Sequence, residues 1–151
     1  MIDLGSPFPE FSLLDQDGVT HDKASLLGGP TVVYFYPKDD TSGCTEEACN
    51  FRDRMAEIPG AKVFGVSPDS VKSHAKFAAK FELTFPLLAD VDKALCEACG
   101  VWVEKSMYGK KYMGVERSTF LLDSEGVVRG VWRKVKVPGH AQEVLNALGN
   151  L

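Results

Sequence analysis

The sequence predicts an α/β fold: a central mixed sheet flanked by helices, with a small β-hairpin ahead of it. Three observations carry that prediction. The run Thr31 to Tyr36 is a near-continuous stretch of β-branched and aromatic residues, the pattern of a strand buried on both faces. Strand-type and helix-type segments alternate after it, which favours a sheet covered on both sides. Late in the chain, Ser118 to Leu122 and Val127 to Arg133 flank the turn Asp123-Ser124-Glu125-Gly126 and read as a hairpin.

Each further element has a local reason. An extended opening, Phe11 to Leu14, meets a turn at Asp15 to Gly18, which gives the small N-terminal hairpin. Pro37 ends the buried strand because it has no N–H to donate. The loop Lys38 to Gly43 leads into a helix from Cys44 to Glu57. A strand follows at Lys62 to Val66, then a helix from Ser70 to Phe81 opened by Ser67-Pro68-Asp69. A short strand at Leu87 and Leu88 precedes a short helix from Asp92 to Cys99. Tyr108 to Met113 is a polar loop or hairpin, and His140 to Leu148 is a closing helix. No repeat, low-complexity stretch or linker divides residues 1–151, so one domain is expected.

Composition excludes several classes. With 44% hydrophobic and 25% charged residues the chain can build a core and is not disordered. A net charge of −4 offers no electrostatic footprint for nucleic acid or an anionic membrane. No apolar run approaches the length of a membrane span, and the opening MIDLGSPFPEF has neither the basic nor the apolar region of a secretory signal. Four cysteines in that setting fit a reducing compartment, so a cytoplasmic location is expected.

Cys44 stands out because it follows a strand, a proline and a loop, and begins a helix. An ordinary thiol, with a pKa of roughly 8.5, is only about 3% thiolate at pH 7. Bringing such a thiol down to about 6 requires about 3.4 kcal/mol of preferential stabilisation of the anion. A helix N-terminus supplies about 0.3–1 kcal/mol, and up to about 2 when partly buried. A reactive thiol here therefore needs a cation within about 4–6 Å as well. Arg117, Arg52, Arg54 and Lys38 are the candidates, and spacing does not choose among them. Thr41 can bring a hydroxyl to the same helix start or act as a plain cap.

Cys49 lies five residues further on, so an intact helix separates the two Cα atoms by roughly 8–9 Å. A disulfide needs about 4.4–6.8 Å, so this pair joins only if the first turns unwind. Cys96 and Cys99 form a Cys-x-x-Cys that reads as packing residues, as a secondary redox pair, or with the others as a zinc site. His21, His74 and His140 are isolated in sequence and read as solvated or packed.

The stretch from Phe35 to Asp53 contains Pro37-x3-Thr41-x2-Cys44, which resembles the peroxiredoxin active-site motif. Its Cys-x4-Cys extension is similar to the bacterioferritin comigratory protein (PrxQ) subfamily. So are Gly100 to Lys105, Tyr108 to Tyr112, Val115 to Asp123 and Gly139 to Leu145. The likeness spans nearly the whole chain, with departures at Ser42, where relatives often carry proline, and at Cys99. It implies a thioredoxin-like fold and thiol-dependent reduction of hydrogen peroxide and organic hydroperoxides, in antioxidant defence, without metal, haem or flavin. It also implies a monomer recycled by thioredoxin or a glutaredoxin-like dithiol. By motif position Cys44 matches the peroxidatic cysteine and Cys49 the resolving one. Thr41 matches the residue that hydrogen-bonds thiolate and substrate, Pro37 the residue that shields the site, and Arg117 the active-site arginine. Three rivals stay open at this point: a disulfide oxidoreductase using Cys96 and Cys99, a redox sensor, and a zinc protein.

Overall fold

The computed structural model describes residues 2–151. A hairpin of β1 (Ser12–Leu14) and β2 (Thr20–Asp22) is followed by a 3-10 turn (Lys23–Leu26), β3 (Thr31–Phe35) and α1 (Ser42–Met55). Then come β4 (Lys62–Ser67), α2 (Val71–Phe81), β5 (Leu87–Ala89) and α3 (Ala94–Ala98). A second hairpin, β6 (Trp102–Met107) and β7 (Lys110–Val115), precedes β8 (Ser118–Leu122), β9 (Val128–Trp132) and α4 (His140–Leu148). The central sheet runs in the order β5-β4-β3-β8-β9, with β3, β4 and β5 parallel, β8 antiparallel to β3, and β9 antiparallel to β8. This is the mixed sheet the sequence predicts.

All of β3 is buried, and its side chains alternate between two cores. Val32, Tyr34 and Tyr36 face Ala48 and Phe51 of α1, Phe77 of α2 and Val144 of α4. Val33 and Phe35 face Leu26, Leu95, Phe120 and Val128 on the other side. Tyr34 stacks on Phe51 at 4.8 Å and on Tyr36 at 5.5 Å, which seats α1 on the sheet.

Most element ends move by one or two residues from the sequence expectation, as in α3, which spans Ala94–Ala98 rather than Asp92–Cys99, and three features have a clear local cause. Helix α1 starts two residues early, at Ser42, because Thr41 keeps an extended backbone (φ −98°) while its carbonyl already accepts from Thr45 N–H at 2.8 Å. It stops at Met55 rather than Glu57, because the chain tightens to i→i+3 bonds ahead of Pro59. The segment after Trp102 is a true hairpin, since Tyr108 (φ 52°) and Gly109 (φ 79°) make the two-residue turn whose twist suits paired strands. Among the described residues no helix is long and apolar enough to cross a membrane.

Candidate active site

The end of β3 and the start of α1 place Cys44. Pro37 stops the ladder one residue after Tyr36 N–H bonds Val66, and the loop then turns through Asp40, whose φ is +57°. Cys44 is the third residue of α1 and only 1% exposed. The N–H groups of Ser42, Gly43 and Cys44 precede the first intrahelical bond and point out of the helix end. Arg117, one residue before β8, reaches this point from across the sheet: its Nη2 donates to Cys44 Sγ at 3.2 Å. A Cβ at Gly43 would lie 3.3 Å from Nη2, so glycine leaves room for the guanidinium over the helix start.

The same guanidinium donates from Nη1 to Glu47 Oε1 at 2.7 Å. Glu47 is 1% exposed, and its Oε2 has no hydrogen-bond partner among the described residues. Burial pushes the Glu47 carboxyl up to about 7, against the pull of Arg117. For Arg117 the balance is opposite: burial lowers its pKa, but Glu47 and Cys44 outweigh it and the net shift is upward. One cation thus serves two buried groups on one helix face. Sequence reasoning missed Glu47. The signal was its spacing, since residues three apart on a helix share a face.

The comparisons with known proteins agree on one family. The AhpC/TSA family pattern matches residues 4–131. The chain is 58% identical over 119 residues to peroxiredoxin Bcp of Xanthomonas campestris, covering 78% of this chain and 74% of that one. It is 47% identical to peroxiredoxin Bcp of Bacillus subtilis, over 99% of this chain and 97% of that one. Among solved structures, PrxQ of Xylella fastidiosa in a cysteine-to-serine form superposes with a TM-score of 0.93 at 40% identity, covering 99% of this chain and 97% of that one. The chain belongs to the AhpC/TSA family, in its Bcp (PrxQ) peroxiredoxin branch. A Xanthomonas campestris bacterioferritin comigratory protein, solved in trapped intermediate and ligand complexes bearing on alkyl peroxide reduction, matches at TM-score 0.88 and 50% identity, with 93% of this chain and 90% of that one covered. The fold is accordingly thioredoxin-like and the protein a peroxidase-type oxidoreductase.

In this peroxiredoxin the candidate cations separate cleanly. Arg52 pairs with Asp53 at 2.8 Å and also bonds the Phe81 carbonyl, while Lys38 is exposed. Arg54 borders an exposed groove with Asn50, Asp53 and Glu57. Only Arg117 meets the thiol. A second cation, Lys105 on β6, senses the centre from the hairpin: burial, then the Arg117 charge, lowers its pKa. Thr41 occupies the N-cap position, yet its side chain makes no cap bond; Oγ1 donates instead to the Lys38 carbonyl at 2.9 Å. Pro37 is half-buried at the loop's start.

All four cysteines are free thiols, and α1 runs unbroken through Cys44 and Cys49, which keeps that pair at helical spacing. Cys96 and Cys99 are fully buried. Burial pushes both thiols far up, and Cys96 is raised further by its contact with the buried Asp90 carboxylate. Such thiols are poor nucleophiles, so the packing reading fits the pair. The three histidines are all held by partners. His21 bonds Asp15 at 2.7 Å, His74 bonds Asp39 at 2.7 Å and His140 bonds Thr119 at 2.8 Å.

Glu47 gives this peroxiredoxin a pH signature. A carboxyl that holds its proton more tightly folded than unfolded supports the fold at low pH and loses that support as pH rises from about 4.5 through about 7. Urea unfolding of wild type is expected to lose on the order of 3 kcal/mol across that window from this group. Glu47→Gln is expected to flatten that decline, and a variant with the wild-type slope would refute the assignment.

Proposed function

We propose that the protein reduces hydrogen peroxide and organic hydroperoxides with Cys44 as the attacking thiolate. The observation that carries this reading is the Arg117 Nη2 contact to Cys44 Sγ, 3.2 Å long, at the N-terminus of α1. Sulfur attacks the distal peroxide oxygen, the O–O bond breaks, and water or alcohol leaves with a proton, giving Cys44 sulfenic acid. Arg117 and the free amides of the helix start stabilise charge as it builds along the O–O bond. Thr41 Oγ1, whose hydrogen is spent on Lys38, accepts from the peroxide O–H. Pro37 shields the loop side of the pocket.

Recovery then requires the first turns of α1 to open. The local sequence favours this: Ser42, Gly43, Cys44 and Thr45 are all weak helix formers, and Thr41 supplies no side-chain cap. Cys49 then condenses with the sulfenic acid, releasing water and forming the Cys44–Cys49 disulfide. Thioredoxin or a glutaredoxin-like dithiol reduces that disulfide and leaves oxidised in its place. Both electrons come from thiols, so the cycle uses no metal, haem or flavin. A cycle that ends on reduction by a dithiol belongs in a reducing, cytoplasmic setting, and it is complete within one chain, as a monomer allows.

Mass spectrometry after one equivalent of peroxide tests the route. A Cys44–Cys49 link is expected, and Cys49→Ser should consume the first equivalent but not turn over with thioredoxin. A dominant link from Cys44 to Cys96 or Cys99 would move the resolving role to the buried pair.

A further inference from the structure

We propose that Asp39 and His74 are positioning residues for the Cys44 reaction, clamping the loop before α1 so that the Thr41 hydroxyl keeps one orientation. This deepens the peroxidase reading and rests on it. Asp39 lies midway between Pro37 and Thr41 and is buried. Its Oδ1 accepts from Tyr36 Oη at 2.6 Å. Its Oδ2 accepts from His74 Nδ1 at 2.7 Å and Ser73 Oγ at 2.8 Å. Its backbone N–H donates to Asp69 Oδ2 at 2.8 Å, an oxygen that also accepts from Ser67 Oγ at 2.7 Å.

His74 is fully buried, and its Nε2 faces the Leu88 carbonyl of β5 at 3.0 Å. A carboxylate and a carbonyl can only accept, so both ring nitrogens are placed to donate. The ring is thereby fixed between α2, β5 and the loop. A buried pair of this kind adds little net stability over an apolar substitute, but loss of either member strands the other. Its geometric result is a loop backbone pinned at Asp39 on both its side chain and its N–H.

One link joins the clamp to the chemistry. The carbonyl of Lys38, the residue next to Asp39, takes the hydrogen of Thr41 Oγ1 at 2.9 Å. Holding Asp39 holds that carbonyl, and the carbonyl decides where the Thr41 lone pairs point. Thr41 itself is exposed and has no packing of its own to do so.

Two rates on reduced protein separate positioning from general loosening. Single-turnover oxidation by hydrogen peroxide, followed by tryptophan fluorescence, needs the oriented loop. Alkylation of Cys44 by iodoacetamide, followed by mass spectrometry, needs only a reactive thiol. His74→Gln is expected to slow the first about ten-fold and the second by less than about two-fold. Equal losses in both, or an unchanged peroxide rate, would overturn the proposal. If His74→Gln does not fold, Asp69→Ala at a half-buried position removes the acceptor of the Asp39 N–H and should shift the ratio the same way; an unshifted ratio there also overturns it. A wild type inert to peroxide sinks the peroxidase reading instead. The ring 15N spectrum of His74 gives a separate check: two N–H signals are expected, and a single one removes the double-donor arrangement.

Discussion

Cys44→Ser is expected to slow peroxide consumption by on the order of 10³-fold or more, leaving only the background of the free reductant. Serine fits the same 1%-exposed position, so Arg117, Glu47 and the start of α1 stay in place. What disappears is the atom that can hold an oxygen as a sulfenic acid and pass it on as water. No other thiol is placed to substitute. Cys96 and Cys99 are buried thiols with strongly raised pKa values, and the guanidinium near Cys49, that of Arg52, is paired with Asp53. Stopped-flow peroxide consumption with thioredoxin and its reductase is the measurement, and full activity in the variant would end the proposal.

Arg117→Met is expected to lower the rate constant for peroxide by about 10²–10³, the scale seen when one charge-stabilising donor is lost from an active site. Methionine keeps much of the stem volume and removes the charge. It also leaves the Glu47 carboxyl buried without its partner, so Glu47 should stay protonated through neutral pH and stability should fall by about 1–3 kcal/mol. The double variant Arg117→Met/Glu47→Gln divides the two effects. Its stability should recover, because a glutamine needs no proton taken up on folding, while its peroxide rate should not. Recovery of the rate would show that Arg117 matters only as a neutraliser of Glu47.

Much of this was legible in the sequence, for reasons that differ by element. The near-continuous β-branched and aromatic run Thr31–Tyr36 marked the central strand because two-sided burial accepts it. Cys44 was legible because a proline, a short loop and a helix start leave one place for the thiol. Arg117 needed the family likeness, since 73 residues separate it from Cys44 and only the β3–β8 pairing brings them together. Glu47 and Asp39 were not found, because in sequence each is one more acidic residue in a polar stretch. Their partners come from the residue just ahead of β8 and from α2, which no local pattern announces. The start of α1 lies two residues ahead of the cysteine, because Thr41 bears the cap position and no local residue marks it more strongly than Cys44.

The loosely built first turn of α1 also sets how the protein fares under heavy oxidant load. In the proposed cycle a sulfenic acid at Cys44 has two fates: capture by Cys49, or a second oxidation to the sulfinic acid, which a dithiol does not reverse. The first waits on the helix opening and the second on the arrival of another peroxide. A turn of weak helix formers without a side-chain cap opens readily, so the race favours capture. In the proposed cycle, the same poor helix that looks like a defect in the fold would act as protection against suicide inactivation. The fraction of sulfinic Cys44 formed per turnover, read at rising peroxide, measures how wide that margin is.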